Sequence, residues 1–167
     1  MKIEDNFLDQ KDFDELQVFI MGDMMPWFYL DAIDYQDDVD KYQFAHDFYK
    51  GHIPFSPFCK KLNHISEIIN SISLWRIKAN LLTRTSNIVE NSFHVDMGHL
   101  SKEKLKQWTT SIFYINTNNG YTEFEDNTKV ESVANRMVTF PTNMKHTGTS
   151  CTDEKTRVVI NFNYFAP

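Results

Sequence analysis

Two hydrophobic rhythms divide the chain. A helical spacing appears in places before residue 75, and a two-residue alternation dominates after it. Phe13, Leu16, Phe19 and Ile20 recur at helical spacing, which predicts a first helix over 13–21, capped by Asp12 and ended by Gly22. Met25-Pro-Trp-Phe-Tyr-Leu30 is too aromatic and β-prone to continue that helix and reads as a strand. Residues 31–41, with Asp31, Asp34, Asp37, Asp38 and Asp40, read as a solvated acidic loop. A strand over 42–49 and a turn over 51–57 follow. Phe58, Leu62, Ile65, Ile68, Ile69 and Ile72 then predict a second helix over 57–71, with Lys60, Lys61, Asn63 and Glu67 outward. Over 75–84, Trp75, Ile77, Ala79 and Leu81 alternate with Arg76, Lys78, Asn80 and Leu82, a strand pattern. Further strands are predicted over 93–97, 109–116, 121–124, 128–133, 136–140 and 156–165, with the Asn/Gly content of 116–120 supplying positive φ for a turn. Many short strands joined by polar turns point to a mainly β sandwich, jelly roll or barrel. No repeat or linker divides the chain, so one domain over 1–167 is expected.

Composition narrows the function. At 167 residues the chain can bury a sizeable core, and its 14 Phe make that core aromatic-rich. The net charge of −6, with no basic run, argues against nucleic-acid phosphate as the main partner. Cys59 and Cys151 are too few for a disulfide framework and read as free thiols. The opening Met-Lys-Ile-Glu-Asp lacks an apolar signal region and no window has the apolar length of a bilayer span, so a cytoplasmic protein is expected, with no membrane partner.

Candidate chemistry centres on His94-Val95-Asp96. Strand residues two apart share a face, so an imidazole and a carboxylate stand side by side. A second imidazole, His146, follows Phe140-Pro141 just before the last apolar strand. Two His and one carboxylate leave three positions open on a metal, which suits non-haem Fe(II). In the last strand Val158, Ile160, Phe162 and Tyr164 lie on one side, under the helices, and Arg157, Val159, Asn161 and Asn163 face the interior. An interior guanidinium is costly unless paired, and it is suited to a bidentate grip on an anionic co-substrate. The bland alternatives are a surface His-x-Asp that merely hydrogen-bonds, and a structural pair between Arg157 and an interior acid. His46, His52, His64 and His99 have no matching ligand partner and read as ordinary histidines, though His99 lies on a rim loop over 98–107 where a substrate could touch it.

Five segments carry a family resemblance: Ser92-Phe-His-Val-Asp96, Thr110-Ser-Ile-Phe-Tyr-Ile-Asn116, Gly120-Tyr-Thr-Glu-Phe124, Phe140-Pro141 before His146, and Thr156-Arg-Val-Val-Ile-Asn-Phe-Asn-Tyr164. In this order they resemble the Fe(II)/2-oxoglutarate dioxygenases of the prolyl-4-hydroxylase-like type, including small stand-alone forms in marine bacteriophage genomes. The likeness covers roughly 75–165, and the opening Ile3-Glu-Asp-Asn-Phe-Leu8 also resembles the family's start. It implies a double-stranded β-helix (a cupin-like jelly roll) over about 75–165, with residues 1–74 as support and helices packed outside the major sheet.

The resemblance also implies a site. His94, Asp96 and His146 would bind Fe(II), with 2-oxoglutarate and dioxygen as co-substrates, and Arg157 with Tyr114 would hold the far carboxylate of 2-oxoglutarate. One of Asn80 and Arg84 is expected to line the co-substrate pocket, although this segment departs from the family's usual Tyr and Pro-Gly pattern. Thr122 and Phe124 match a structural turn and need no chemical role. The implied reaction couples oxidative decarboxylation of 2-oxoglutarate to hydroxylation of a C–H bond, in a prolyl or other residue of a peptide or protein. The segment 27–58 and the loop after Asp96 would form its rims. The alternatives are a nucleic-acid demethylase of the same chemistry and a non-catalytic jelly-roll binding or virion module. A monomer or weak dimer is expected, in the host-cell cytoplasm if phage-encoded, where reducing surroundings keep iron ferrous.

Overall fold

The computed structural model describes residues 1–33 and 41–167. Its strands form two antiparallel sheets. The larger contains β1 (Lys2–Glu4), β2 (Phe28–Leu30), β3 (Gln43–Lys50), β4 (Ile53–Pro54), β5 (Ser73–Thr83), β6 (Thr109–Tyr114), β9 (Arg136–Pro141) and β11 (Thr156–Phe165). Its order is β1-β9-β6-β11-β5-β3-β2, with β4 added on β3. The smaller sheet runs β10 (His146–Gly148), β7 (Tyr121–Phe124), β8 (Lys129–Glu131). The helices are α1 (Gln10–Met21), α2 (Asn63–Ile68) and α3 (Lys102–Leu105), with a 3₁₀ turn at Pro57–Leu62 ahead of α2.

Alternation along β11 decides what lies on each side of the larger sheet. Val158, Ile160, Phe162 and Tyr164 are buried together with Phe13, Leu16 and Ile20 of α1, Ile65 of α2, and Phe48, Ile77 and Phe113. Burying each such large apolar side chain contributes about 1.5–3 kcal/mol, which is what fixes the helices to this face. The opposite face meets the smaller sheet through a second apolar cluster, in which Ile112, Tyr114, Val138, Phe140 and Val159 pack on Phe124 and Val130. The molecule is therefore the expected mainly β jelly roll, with helices outside its major sheet. No helix among the described residues is long and apolar enough to cross a membrane.

Several local expectations need correction. Helix α1 begins at Gln10 with Asp9 at its cap position, and Asp12 lies inside the first turn, where its charge still favours the helix N-terminus. The second helix is split, because Ser56 accepts a bond from the Phe58 N–H and opens a 3₁₀ turn, while Asn70 at φ 49° ends the helical path. That leaves Ile72 65% exposed. The strand read over 25–30 is paired only at Phe28–Leu30. Most of the acidic loop, residues 34–40, lies outside the described residues. Segment 93–97 is not a strand: His94 forms one isolated bridge with His146, and Met97 turns the chain at φ 58°. The turn at 116–120 contains no positive φ, and β1, α3 and β10 escaped the sequence pattern because each is only three or four residues long.

Candidate metal and co-substrate site

Between the sheets lies a cavity of about 550 Å³. Its main wall is the interior face of the larger sheet, laid out in cross-strand rows. Leu82 stands opposite Arg157, Asn80 opposite Val159, Lys78 opposite Asn161, and Arg76 opposite Asn163. Directly opposed residues of an antiparallel pair share a face, so two alternating strands suffice to set this wall. Asn161 brings a buried amide oxygen with no hydrogen-bond partner among the described residues.

At one end of the cavity, ligand atoms of His94, Asp96 and His146 lie within 4.8 Å of one another. Two backbone bonds hold the histidines together, His94 N–H to His146 O and His146 N–H to His94 O, both at 3.0 Å. Each Nδ1 also sits 3.2 Å from a backbone carbonyl two residues upstream, of Ser92 and Met144 respectively. A carbonyl only accepts, so the proton belongs on Nδ1 and Nε2 is the ligating nitrogen. Phe140 and Phe124 pack on His146, and burial pulls its pKa down to about 4 despite the nearby Asp96 charge. Burial alone would raise the Asp96 carboxyl. The charges of Arg76, His146 and His94 and a hydrogen bond from Asn163 outweigh it and hold the group well below the usual carboxylate range. The cluster thus offers an ionised carboxylate beside two imidazoles that present Nε2, a donor set that suits a divalent ion.

Arg157 lies in the same cavity, 3% exposed. Its Nε donates to Ser132 Oγ at 2.8 Å and its Nη2 to Thr122 Oγ1 at 3.1 Å, and it makes no ion pair among the described residues. Burial lowers the proton affinity of this guanidinium. Two glycines make room for it. A Cβ at Gly120 would meet Arg157 Cδ at 2.7 Å and Ser150 O at 2.6 Å, and one at Gly148 would meet Arg157 Nη1 at 3.2 Å. Gly120 is therefore explained by this close approach, not by the positive φ expected of it. A buried cation with no acid partner among the described residues fits an anionic ligand in this cavity, whereas the Asn161 oxygen is an acceptor that calls for a donor.

The sequence matches no family model and no curated protein sequence. Solved structures do match in fold. A prolyl hydroxylase from Trichoplax adhaerens, in complex with a hypoxia-inducible-factor degradation-domain peptide, aligns with TM-score 0.67 at 13% identity, covering 98% of this chain and 82% of that one. A prolyl-4-hydroxylase from Pseudomonas putida aligns with TM-score 0.66 at 11% identity, covering 99% and 92%. This chain has the prolyl hydroxylase fold. The same fold carries other chemistry too: the non-haem α-ketoglutarate-dependent epimerase SnoN of nogalamycin biosynthesis aligns with TM-score 0.67 at 10% identity, covering 98% and 77%.

Within this prolyl-hydroxylase-type frame the expected residues divide. His94, Asp96, His146, Arg157 and Asn80 line one cavity. Arg84 does not: it is exposed just beyond the end of β5. Tyr114 is fully buried beside the cavity. Its hydroxyl donates to Thr122 Oγ1 at 2.8 Å and its ring stands 5.8 Å from Arg157 Cζ, so it braces Arg157 and does not open onto the cavity. Thr122, given no role from sequence, is the acceptor shared by Tyr114 and Arg157. Ser132 and Gly148 were missed because a hydroxyl and a glycine carry no motif. Neither Arg76 nor Asn163 was given a role from sequence, although Asn163 was read as interior and Arg76 lies on the face that proves to be interior. His46 is the expected ordinary histidine, with its ring nitrogens 2.8 Å from Pro26 O and from Ser56 Oγ.

Proposed function

We propose that the chain is an Fe(II)- and 2-oxoglutarate-dependent oxygenase that hydroxylates a C–H bond in a peptide or protein. One observation carries the proposal: a two-His, one-carboxylate cluster shares its cavity with a buried arginine that has no acid partner among the described residues. His94, Asp96 and His146 would hold the iron, and Arg157, held by Thr122 and Ser132, would receive the distal carboxylate of 2-oxoglutarate. With iron held there, dioxygen would supply the oxidising power and 2-oxoglutarate two of the electrons, one oxygen atom ending in succinate as CO2 leaves and the other in the new hydroxyl. The protein's own share is to keep the buried His146 imidazole neutral, turn the Nε2 of both histidines inward, keep Asp96 ionised, and exclude water with the aromatic packing around His146. A groove of about 580 Å³, lined by Pro26, Phe28, Phe55, Pro57 and Phe58, adjoins the cavity through Arg76 and Lys78. Its largely apolar lining supports a peptide substrate, as the rim expected over 27–58 would. The net charge of −6 speaks against a nucleic-acid demethylase, and a non-catalytic module would have no use for the cluster and Arg157 together.

The test is anaerobic addition of Fe(II) and 2-oxoglutarate, read by the visible metal-to-ligand charge-transfer band. The wild type should develop the band, His94→Ala should lose it, and Arg157→Ala should need far more 2-oxoglutarate. No band at any concentration would refute the proposal.

A further inference from the structure

A metal ligand carried on a loop needs something other than its own backbone to fix it. Asp96 is in that position: its segment has a single bridge at His94 and turns away at Met97. The rigidity comes from the sheet beneath. Arg76 of β5 stands opposite Asn163 of β11, and Asn163 stands opposite Thr110 of β6, one polar row across three adjacent strands. The row closes a ring on the carboxylate. Arg76 Nη2 donates to Asp96 Oδ1 at 2.8 Å, Asn163 Nδ2 donates to Asp96 Oδ2 at 2.8 Å, and Arg76 Nε donates to Asn163 Oδ1 at 2.9 Å. The orientation of the amide is forced, because a guanidinium has no acceptor and an ionised carboxylate has no donor. Asn163 Nδ2 also reaches Thr110 Oγ1 at 3.1 Å, which lies 2.9 Å from Thr142 Oγ1, so the ring is tied into the end of β6 and the chain after β9.

We propose that Arg76 and Asn163 are positioning residues for the metal ligand Asp96, clamping one oxygen each so that the carboxylate offers the ion a single fixed direction. This rests on the metal-centre reading above. The clamp explains why a buried, 5% exposed carboxylate on a loop is held as firmly as one on a strand. It also gives the polar pair Arg76 and Asn163, at facing interior positions of β5 and β11, a specific partner. Arg76 and Asn163 act through Asp96 and need not touch substrate.

The probe is Co(II), titrated by calorimetry and by its visible d–d absorption into the wild type, Arg76→Gln, Arg76→Lys, Asn163→Ala and the Arg76→Gln/Asn163→Ala pair. Each single change should weaken Co(II) binding about 10–100-fold and alter the d–d band, as loss of an outer partner of a metal ligand does. The double change should cost clearly less than the product of the singles, because either one opens the same ring. Arg76→Lys keeps the charge but cannot bridge Asp96 and Asn163, so it should stay weak. Circular dichroism of the metal-free proteins checks folding. If Arg76→Gln does not fold, Arg76→Lys and Asn163→Ser carry the test. Affinity within threefold of wild type and an unchanged band in the folded variants would overturn the clamp, and so would full rescue by Arg76→Lys. A wild type that binds no Co(II) would overturn the metal centre itself.

Discussion

Replacing Arg157 by methionine separates what the fold needs from what the cavity binds. Arg157 is 3% exposed, and among the described residues its guanidinium hydrogen-bonds the neutral hydroxyls of Ser132 and Thr122. Hydrogen bonds from a charged donor contribute about 1.5–3 kcal/mol each. Burying the ion costs several kcal/mol even after relaxation, so the two effects come close to cancelling in the ligand-free protein. Methionine fills most of the volume and adds no buried charge. Thr122 keeps its bond from Tyr114, and only Ser132 loses its donor, at about 1–2 kcal/mol. The metal-free, ligand-free variant should therefore melt within about 4 °C of the wild type, on either side, since about 1 kcal/mol moves a chain of this size by about 2–4 °C. The ligand response should differ completely. With Co(II) present and 2-oxoglutarate at about 100 times its Kd, the wild type gains about 2.7 kcal/mol, which Arg157→Met should lose almost entirely. Scanning calorimetry with and without 2-oxoglutarate reads both quantities. A ligand-free melting point lower by more than about 10 °C would make Arg157 a structural strut. An undiminished response to 2-oxoglutarate would remove it as the carboxylate anchor.

Two further substitutions test the surroundings. Gly148→Ala places a methyl 3.2 Å from Arg157 Nη1 and should weaken 2-oxoglutarate binding by about 1 kcal/mol, roughly fivefold, with little change in melting, as measured by calorimetric titration. Asp5 is joined to Arg136 by two bonds at 2.6 and 3.1 Å, and the hydrogen bond from Arg136 holds its carboxyl below the ordinary value. A carboxyl depressed in the folded state stabilises above its unfolded pKa of about 3.9 and stops doing so as pH falls through the folded value. Asp5→Asn should therefore melt slightly below the wild type at pH 7, and the two curves should converge in acid, the gap being small because the pair is half exposed.

What the sequence made legible follows from periodicity. The alternation in 156–165 assigned Val158, Ile160, Phe162 and Tyr164 to the helix side and Arg157 to the interior, and the structure has both. A two-residue period leaves no other choice once one face is apolar. The alternation in 75–84 separated Arg76, Lys78, Asn80 and Leu82 just as cleanly, but sequence alone did not say which set faced inward. Cross-strand register supplied that, by standing Arg76 against Asn163 and Leu82 against Arg157. His94 and Asp96 were found for a reason that does not hold locally. They are neighbours because a bridge to His146 and a clamp from the sheet bring them together, not because they share a strand. Thr122, Ser132 and Gly148 stayed hidden since their role depends on where Arg157 ends up.

The two arginines of the cavity wall differ in a way that constrains the ligand. Arg76 faces a carboxylate and Arg157 faces hydroxyls, so among the described residues the first charge is balanced and the second is not. A divalent ion on the His94, Asp96 and His146 cluster adds positive charge that a single carboxylate leaves partly uncompensated. Anything that joins this ion to Arg157 must then be negative at both ends, while the Asn161 oxygen, an acceptor, calls for a donor that a carboxylate does not provide. A dicarboxylate meets the charge requirement and a neutral molecule does not. Arg157, without an acid partner among the described residues, therefore narrows the ligand more than the metal cluster does. Clusters of two histidines and an acid suit many ions and many roles, whereas a buried cation without a partner is a standing cost that only an anion at that spot relieves.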